Sequence, residues 1–175
     1  MRRRWTVVFA AMGGLLGMVA GWWGDGIARH WTPEKALASA VPGVMPFEKV
    51  SYSDGVVLFT PGPGGPGTFG GFYMEPGWFG WRIGVASEVA FAPGNPNANG
   101  DLASFRHDGQ TFIWGTAFVP AREIVFQHDG RTYRAPIGTF SVWHMIVPFE
   151  ISTFLHSEWS LVTPDGRTIP FFPEK

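Results

Sequence analysis

Residues 105–112 read Phe-Arg-His-Asp-Gly-Gln-Thr-Phe, and residues 126–133 read Phe-Gln-His-Asp-Gly-Arg-Thr-Tyr. An Asp-Gly pair between strand-forming residues is a strong hairpin signal, because both residues tolerate the positive φ of a tight turn. Two more Asp-Gly pairs stand at 54–55 and 165–166. The four pairs predict hairpins that join residues 49–53 to 56–60, 103–107 to 110–119, 123–128 to 131–137 and 157–162 to 167–172.

The rest of the chain after residue 46 is also typical of antiparallel β-structure. Pro76-Gly77 predicts a further turn, between strands at 68–74 and 81–89. Pro170 predicts an edge strand, because proline cannot donate to a strand ladder. Residues 47–175 are therefore predicted to form one mainly β domain, a single antiparallel β-sandwich or a partly open barrel.

The composition excludes several classes of function. Of the 175 residues, 45% are hydrophobic, 15% are charged and none is cysteine. Without cysteine the chain has no disulfide, thiolate metal site, iron–sulfur cluster or thiol nucleophile. The formal net charge of −1 provides no basic surface, so we expect no nucleic-acid partner.

The first 24 residues are predicted to act as a membrane signal-anchor. Arginines occupy positions 2–4, and residues 5–23 contain no charged side chain. A helix of that length spans roughly 28 Å, enough to cross a bilayer core. The arginines place residues 1–4 in the cytoplasm. Because the apolar run is longer than that of a cleaved signal peptide, residues 5–24 are expected to remain as a single-pass transmembrane helix, with everything after them extracytoplasmic.

Gly13, Gly17 and Gly21 are spaced by four, which places them on one face of the predicted membrane helix. Small residues at this spacing let two membrane helices approach closely, and they favour a homodimer through the helix. The alternative is that glycine is simply frequent in membrane helices.

Residues 25–46 are predicted to link the anchor to the domain and to include a short helix at 32–41. Thr32 can cap this helix, Pro33 suits its first turn, and Pro42-Gly43 ends it. Four of the thirteen basic residues and one of the fourteen acidic residues precede position 32, so residues 32–175 have a net charge of −4. That charge attracts neither nucleic acid nor anionic envelope polymers.

His144, Glu150 and His156 are the candidates for acid–base chemistry, since a glutamate beside a histidine is the minimum for it. No His-Glu-x-x-His or Gly-x-Ser-x-Gly motif accompanies them. We therefore expect no catalytic residue, no cofactor and no metal site. An envelope hydrolase or lyase that uses these three residues is the alternative.

His107-Asp108 and His128-Asp129 occupy the two matching turns. Adjacent strand residues point to opposite faces, and each aspartate is needed by its turn, so solvated hairpin ends are the expectation. If the two hairpins lay side by side, His107 and His128 could meet. Two imidazoles without a third ligand make a weak metal site.

Trp78, Trp81 and Arg82 follow the predicted turn at 76–77 and are candidate ligand-binding residues. Exposed indoles at a turn form a stacking platform for a sugar ring, as aromatic faces do in carbohydrate-binding modules. The alternative is that both rings close one end of the core, because large aromatic side chains dominate core energetics.

A basic start, one hydrophobic segment, the run Thr-Pro-Glu-Lys-Ala-Leu at 32–37 and the hairpin at 54–55 resemble a group of small membrane-anchored proteins of Bacillus-like bacteria. Gly80-Trp81 and the Trp114-Gly115 strand are similar to that group as well. The group is uncharacterised, so the resemblance implies no catalytic residue. It implies an envelope setting in a Gram-positive bacterium.

Together these features predict a membrane-tethered extracytoplasmic β-domain with a binding or scaffolding role in the cell envelope and no catalysis. The expected partners are the membrane, a second copy of the chain, and an envelope protein or glycan. A carbohydrate-binding module that uses Trp78 and Trp81 is a further alternative.

Overall fold

The computed structural model describes residues 31–93, 95, 97–151 and 155–173. Among these residues, none of the helices has the length and apolar character needed to cross a membrane. The signal-anchor predicted at 5–24, with the glycine face of Gly13, Gly17 and Gly21, lies outside the described residues.

The described chain is mainly β, as predicted, and every paired strand is antiparallel to its neighbour. It begins with a helix, α1 (Pro33–Ala40). The strands in chain order are β1 (Glu48–Tyr52), β2 (Gly55–Pro61), β3 (Thr68–Gly77), β4 (Gly80–Ala90), β5 (Gly100–His107), β6 (Gln110–Ala117), β7 (Glu123–His128), β8 (Arg131–Pro136), β9 (Val142–Val147), β10 (Trp159–Val162) and β11 (Thr168–Pro170). Short 3₁₀ turns at Thr139–Ser141 and His156–Glu158 precede β9 and β10.

The four predicted Asp-Gly hairpins are confirmed as β1–β2, β5–β6, β7–β8 and β10–β11. In β5–β6 and β7–β8 the Asp-Gly pair forms the two central turn residues. All four of these residues have positive φ: Asp108, Gly109, Asp129 and Gly130. Two consecutive positive φ values make a type I′ turn, whose twist matches that of the strands it joins.

The β1–β2 turn lies one residue earlier than its Asp-Gly pair. Tyr52 pairs with Gly55, so Ser53 and Asp54 are the central turn residues. Gly55 leaves no room for a side chain, because a Cβ atom there would lie 2.3 Å from the carbonyl oxygen of Met74. Packing against β3 therefore requires this glycine, and the shift places the Asp54 side chain at the tip of the hairpin.

The turn predicted at Pro76-Gly77 is wrong in position. Both residues belong to β3 and pair across to β4. Gly80 begins β4 with a φ of 115°, a conformation that residues with a side chain rarely adopt. The chain therefore reverses two residues later than predicted, at Trp78 and Phe79.

The strands form three antiparallel sheets. Their strand orders are β1-β2-β3-β4, β5-β6-β9 and β11-β10-β7-β8, and they are called the first, second and third sheet. In the described part of the chain, none of the three closes on itself. Pro170 lies in β11 at the edge of the third sheet, as predicted.

The second sheet lies between the other two. Phe112 and Trp114 of β6 belong to a core cluster with the first sheet, whereas Ile113 and Ala117 pack with the third. Because successive strand side chains point to opposite faces, β6 is buried on both sides. A strand buried on both faces lacks polar alternation, so its sequence does not reveal how many layers surround it.

Helix α1 covers the outer face of the first sheet and confirms the helix predicted at 32–41. Thr32 caps it by accepting a hydrogen bond from the backbone N–H of Lys35 at 3.2 Å. Leu37 is fully buried in a cluster that includes Leu58 of β2. Trp81 of β4 packs against the same cluster, so α1 holds the start of the described chain close to the β3–β4 hairpin.

Candidate functional site

Two hairpin turns from different sheets meet and are held together by hydroxyl groups. The Tyr52 hydroxyl lies 3.3 Å from the carbonyl oxygen of His107 and 3.1 Å from that of Gln110, and it donates to them. Ser53 donates to a carboxylate oxygen of Asp108 at 2.7 Å. The β1–β2 turn of the first sheet is thus joined to the β5–β6 turn of the second.

Asp54, His107 and Asp108 converge at this junction and are called the turn cluster. His107 Nε2 lies 3.3 Å from Asp54 Oδ1 and 3.4 Å from Asp108 Oδ2. The imidazole side chain is 31% exposed, and the two carboxylate side chains are 63% and 67% exposed. One nitrogen and two carboxylate oxygens, with solvent access, are groups that could hold a divalent cation.

Tyr73 supports the turn cluster from the core side. Its hydroxyl donates to Asp54 Oδ1 at 2.7 Å, and this hydrogen bond lowers the pKa of Asp54. Burial raises the pKa of Tyr73 above its ordinary value, so the phenol stays a donor. The rings of Tyr73 and Tyr52 lie with their centroids 5.1 and 6.5 Å from that of His107, and they restrict the rotation of the imidazole.

His128 lies in a separate group and not beside His107. Its Nδ1 is 2.8 Å from Glu158 Oε1, and its Nε2 is 3.7 Å from Asp129 Oδ2. The ring stacks between Phe126 and Phe149, at centroid distances of 5.6 and 5.1 Å. Neither histidine is the freely solvated hairpin end that the sequence suggests, because each imidazole is packed among aromatic rings and faces carboxylates.

Among the residues considered for acid–base chemistry, His144 and Glu150 are not joined to each other in the described part of the chain. His144 lies in β9, stacked on Phe112 at 5.8 Å, with Nδ1 3.6 Å from Glu48 Oε1. Burial lowers the pKa of His144, so the neutral form is favoured. Glu150 is exposed in the segment after β9, and no hydrogen bond or ion pair among the described residues joins it to His144. His156 begins a 3₁₀ turn, and its side chain lies outside the described part.

Aromatic side chains are exposed around the β3–β4 turn. Trp78 is 99% exposed, Trp31 is 70% exposed and Phe79 is 60% exposed, and these three residues are called the tip surface. They line a shallow hollow of about 240 Å³. The turn sequence indicates Trp78 as a candidate binding residue but not Trp31, because only the position of α1 brings residue 31 to the hairpin.

The other two predicted ligand-binding residues have different surroundings. Trp81 lines the same hollow but also packs against the cluster beneath α1. The Nε atom of Arg82 lies 2.8 Å from Glu75 Oε1, in an ion pair across the β3–β4 hairpin. Trp78 is therefore the fully exposed member of the predicted set.

The meeting of Asp54 with His107 was not predicted from the sequence. Both residues were recognised as hairpin-turn residues, but no local pattern indicates which two turns will touch. The matching His-Asp-Gly sequences bring His107 to His128 only if the two hairpins lie side by side, and the structure places the two histidines in separate groups. No protein-family model matches the chain, and no curated protein and no solved structure matches it.

Proposed function

We propose that this chain is a membrane-tethered extracytoplasmic β-domain that binds or scaffolds in the cell envelope and performs no catalysis. The proposed tether is the apolar run at 5–23 behind arginines 2–4, with the N-terminus in the cytoplasm. Gly13, Gly17 and Gly21 supply the face through which two tethers pair.

The exposure of the tip surface is the observation that supports a role in binding an envelope partner. Tryptophan is highly buried on average in soluble proteins, and clustered exposed apolar side chains mark sites of interaction. Trp31 is the seventh residue after the proposed tether at 5–24. Seven residues reach at most about 25 Å, so the tip surface stands near the outer membrane face, where envelope proteins and glycans are within reach.

The placement of His144 and Glu150 favours a binding role over catalysis by these two residues. General acid–base work needs two groups aimed at one reacting atom. His144 is stacked on an apolar ring and faces Glu48, and Glu150 is exposed. The alternative of a hydrolase or lyase built from His144, Glu150 and His156 receives no support from this placement.

A carbohydrate-binding role is the second candidate, and the exposure of Trp78 favours it. Sugar rings stack on exposed aromatic faces, and the Trp78 side chain is open to solvent at the edge of the hollow that Trp81 also lines. Pull-down of the full chain with envelope glycan separates the two candidates. A glycan-binding role requires saturable retention that Trp78→Ala abolishes, whereas a protein contact gives no retention on glycan.

The absence of cysteine allows a direct test of the tether and its topology. In intact cells a membrane-impermeant maleimide should label Trp78→Cys and should label Arg4→Cys only after permeabilisation. Val57→Cys, at a fully buried position, is the control and should react only after denaturation. The wild-type chain should resist alkaline carbonate extraction. Labelling of Arg4→Cys in intact cells would show that the N-terminus lies outside the cell, contrary to the proposed topology. Complete extraction by carbonate would refute the tether.

A further inference from the structure

The two distances that join His107 to the carboxylates of the turn cluster match those between ligands of one metal ion. The two distances from His107 Nε2, 3.3 and 3.4 Å, exceed the range of about 2.7–3.2 Å for a hydrogen bond from nitrogen to oxygen. Ligand atoms placed tetrahedrally at about 2.0–2.2 Å from zinc are about 3.3–3.6 Å apart. One carboxylate oxygen of Asp54 lies within 4.8 Å of one of Asp108.

Both carboxylates approach the same nitrogen of the imidazole. Because Asp54 and Asp108 face His107 Nε2 together, a single ion placed among them contacts all three residues. The other His-Asp turn lacks this arrangement. Glu158 faces Nδ1 of His128 while Asp129 faces Nε2, and the two ring nitrogens point in divergent directions, so one ion cannot reach both.

Each carboxylate of the turn cluster is also oriented by a hydroxyl group. Tyr73 donates to Asp54, and Ser53 donates to Asp108, both at 2.7 Å. Hydrogen-bonding partners of this kind hold metal ligands in position in established metal sites. The exposure of the two carboxylates leaves solvent access for a water as the fourth ligand.

We propose that Asp54, His107 and Asp108 bind one divalent transition-metal ion, zinc by the character of the ligand set. An imidazole nitrogen among the ligands favours zinc over calcium or magnesium, which take oxygen ligands. The ion joins a turn of the first sheet to a turn of the second. It thereby supplies a cross-link between sheets in a chain whose composition excludes a disulfide, and the inference does not depend on the membrane tether.

Calorimetric titration of the detergent-solubilised full chain with zinc chloride tests the proposal, using protein without a histidine tag. We expect one ion per chain and a Tm that rises with zinc concentration. Cobalt(II) should produce the intense visible absorption of a four-coordinate ion. The isosteric variants Asp54→Asn and Asp108→Asn and the variant His107→Gln should each weaken zinc binding at least tenfold.

His128→Gln is the matched control, because it changes the histidine of the equivalent turn. It should retain the stoichiometry and affinity of the wild-type chain. The metal-free Tm of every variant, measured alongside, separates loss of a ligand from loss of the fold, and the two Asn variants keep the shape of the side chain. Absence of saturable zinc binding by the wild type, or equal weakening by His107→Gln and His128→Gln, would overturn the proposal and leave the turn cluster as an ion-pair group.

Discussion

Trp114 of β6 packs directly on Gly71 of β3, and a Cβ atom built at Gly71 would lie 2.6 Å from Cε2 of the indole. The indole Nε1 donates to the Ser87 hydroxyl of β4 at 2.9 Å. Trp114 is fully buried. The first and second sheets therefore meet here through the Trp114 ring. Gly71 leaves room for the ring, and Ser87 accepts its hydrogen bond.

The substitution Gly71→Ala should destabilise the domain by about 1–3 kcal/mol, because the added methyl group overlaps the buried Trp114 ring. Urea unfolding of the two proteins measures the difference. Gly84→Ala is the control, since its Cβ would come no closer than 3.1 Å to the flexible carboxyl end of Glu75 and 3.3 Å to Cδ1 of Tyr73, a much smaller overlap. Equal losses in both variants would show that the Trp114 contact is not the cause.

The substitution Ser87→Ala should cost about 1–3 kcal/mol of folding free energy, because it leaves a buried indole N–H without its acceptor. Ser51→Ala changes an exposed serine of β1 in the same sheet and should leave the stability unchanged within about 0.5 kcal/mol. The measurement is the midpoint and slope of urea unfolding. A Ser87→Ala protein as stable as the wild type would contradict the hydrogen bond.

Stability should fall as the pH decreases through the ordinary histidine range, partly because of His144. Burial lowers the pKa of His144 in the folded state, with the charge of Glu48 acting in the opposite direction. The unfolded chain then takes up a proton first, near its ordinary pKa of about 6.5, so the contribution of His144 is present above that pH and is lost below it.

Unfolding free energies at about pH 7.5 and about pH 5.5 provide the measurement for this linkage. His144→Gln cannot titrate, so it should lose less stability over that interval than the wild type. If His144→Gln loses as much stability as the wild type, then His144 is not linked to the pH dependence.

The substitution Trp78→Ala should weaken the contact with envelope components without changing the stability of the fold. Because the side chain is almost fully exposed, the unfolding free energy should change by less than about 0.5 kcal/mol. Trp143→Ala, at a buried position of β9, should cost about 3–5 kcal/mol. In cells, crosslinking of the tethered chain to envelope components should decrease for Trp78→Ala. Unchanged crosslinking yield would exclude Trp78 from the contact.

The elements of the fold were more predictable than their assembly. The Asp-Gly pairs identified four hairpins, and Thr32 and Pro33 identified α1, because turns and caps depend on residues a few positions apart. The turn predicted at Pro76-Gly77 was two residues early because both residues also fit the end of a strand. The turn cluster was not predictable, since Asp54 and His107 belong to hairpins of different sheets.

Local sequence signals predict the antiparallel hairpins, one capped helix, the edge strand at Pro170 and a domain without disulfides. These follow from the backbone preferences of single residues and their near neighbours. The folded chain is needed to see that three sheets stack with β6 buried on both faces, and that Asp54 and Asp108 face one nitrogen of His107. Those arrangements depend on how apolar faces distant in sequence pack against each other, and many pairings of such faces are compatible with the same local pattern.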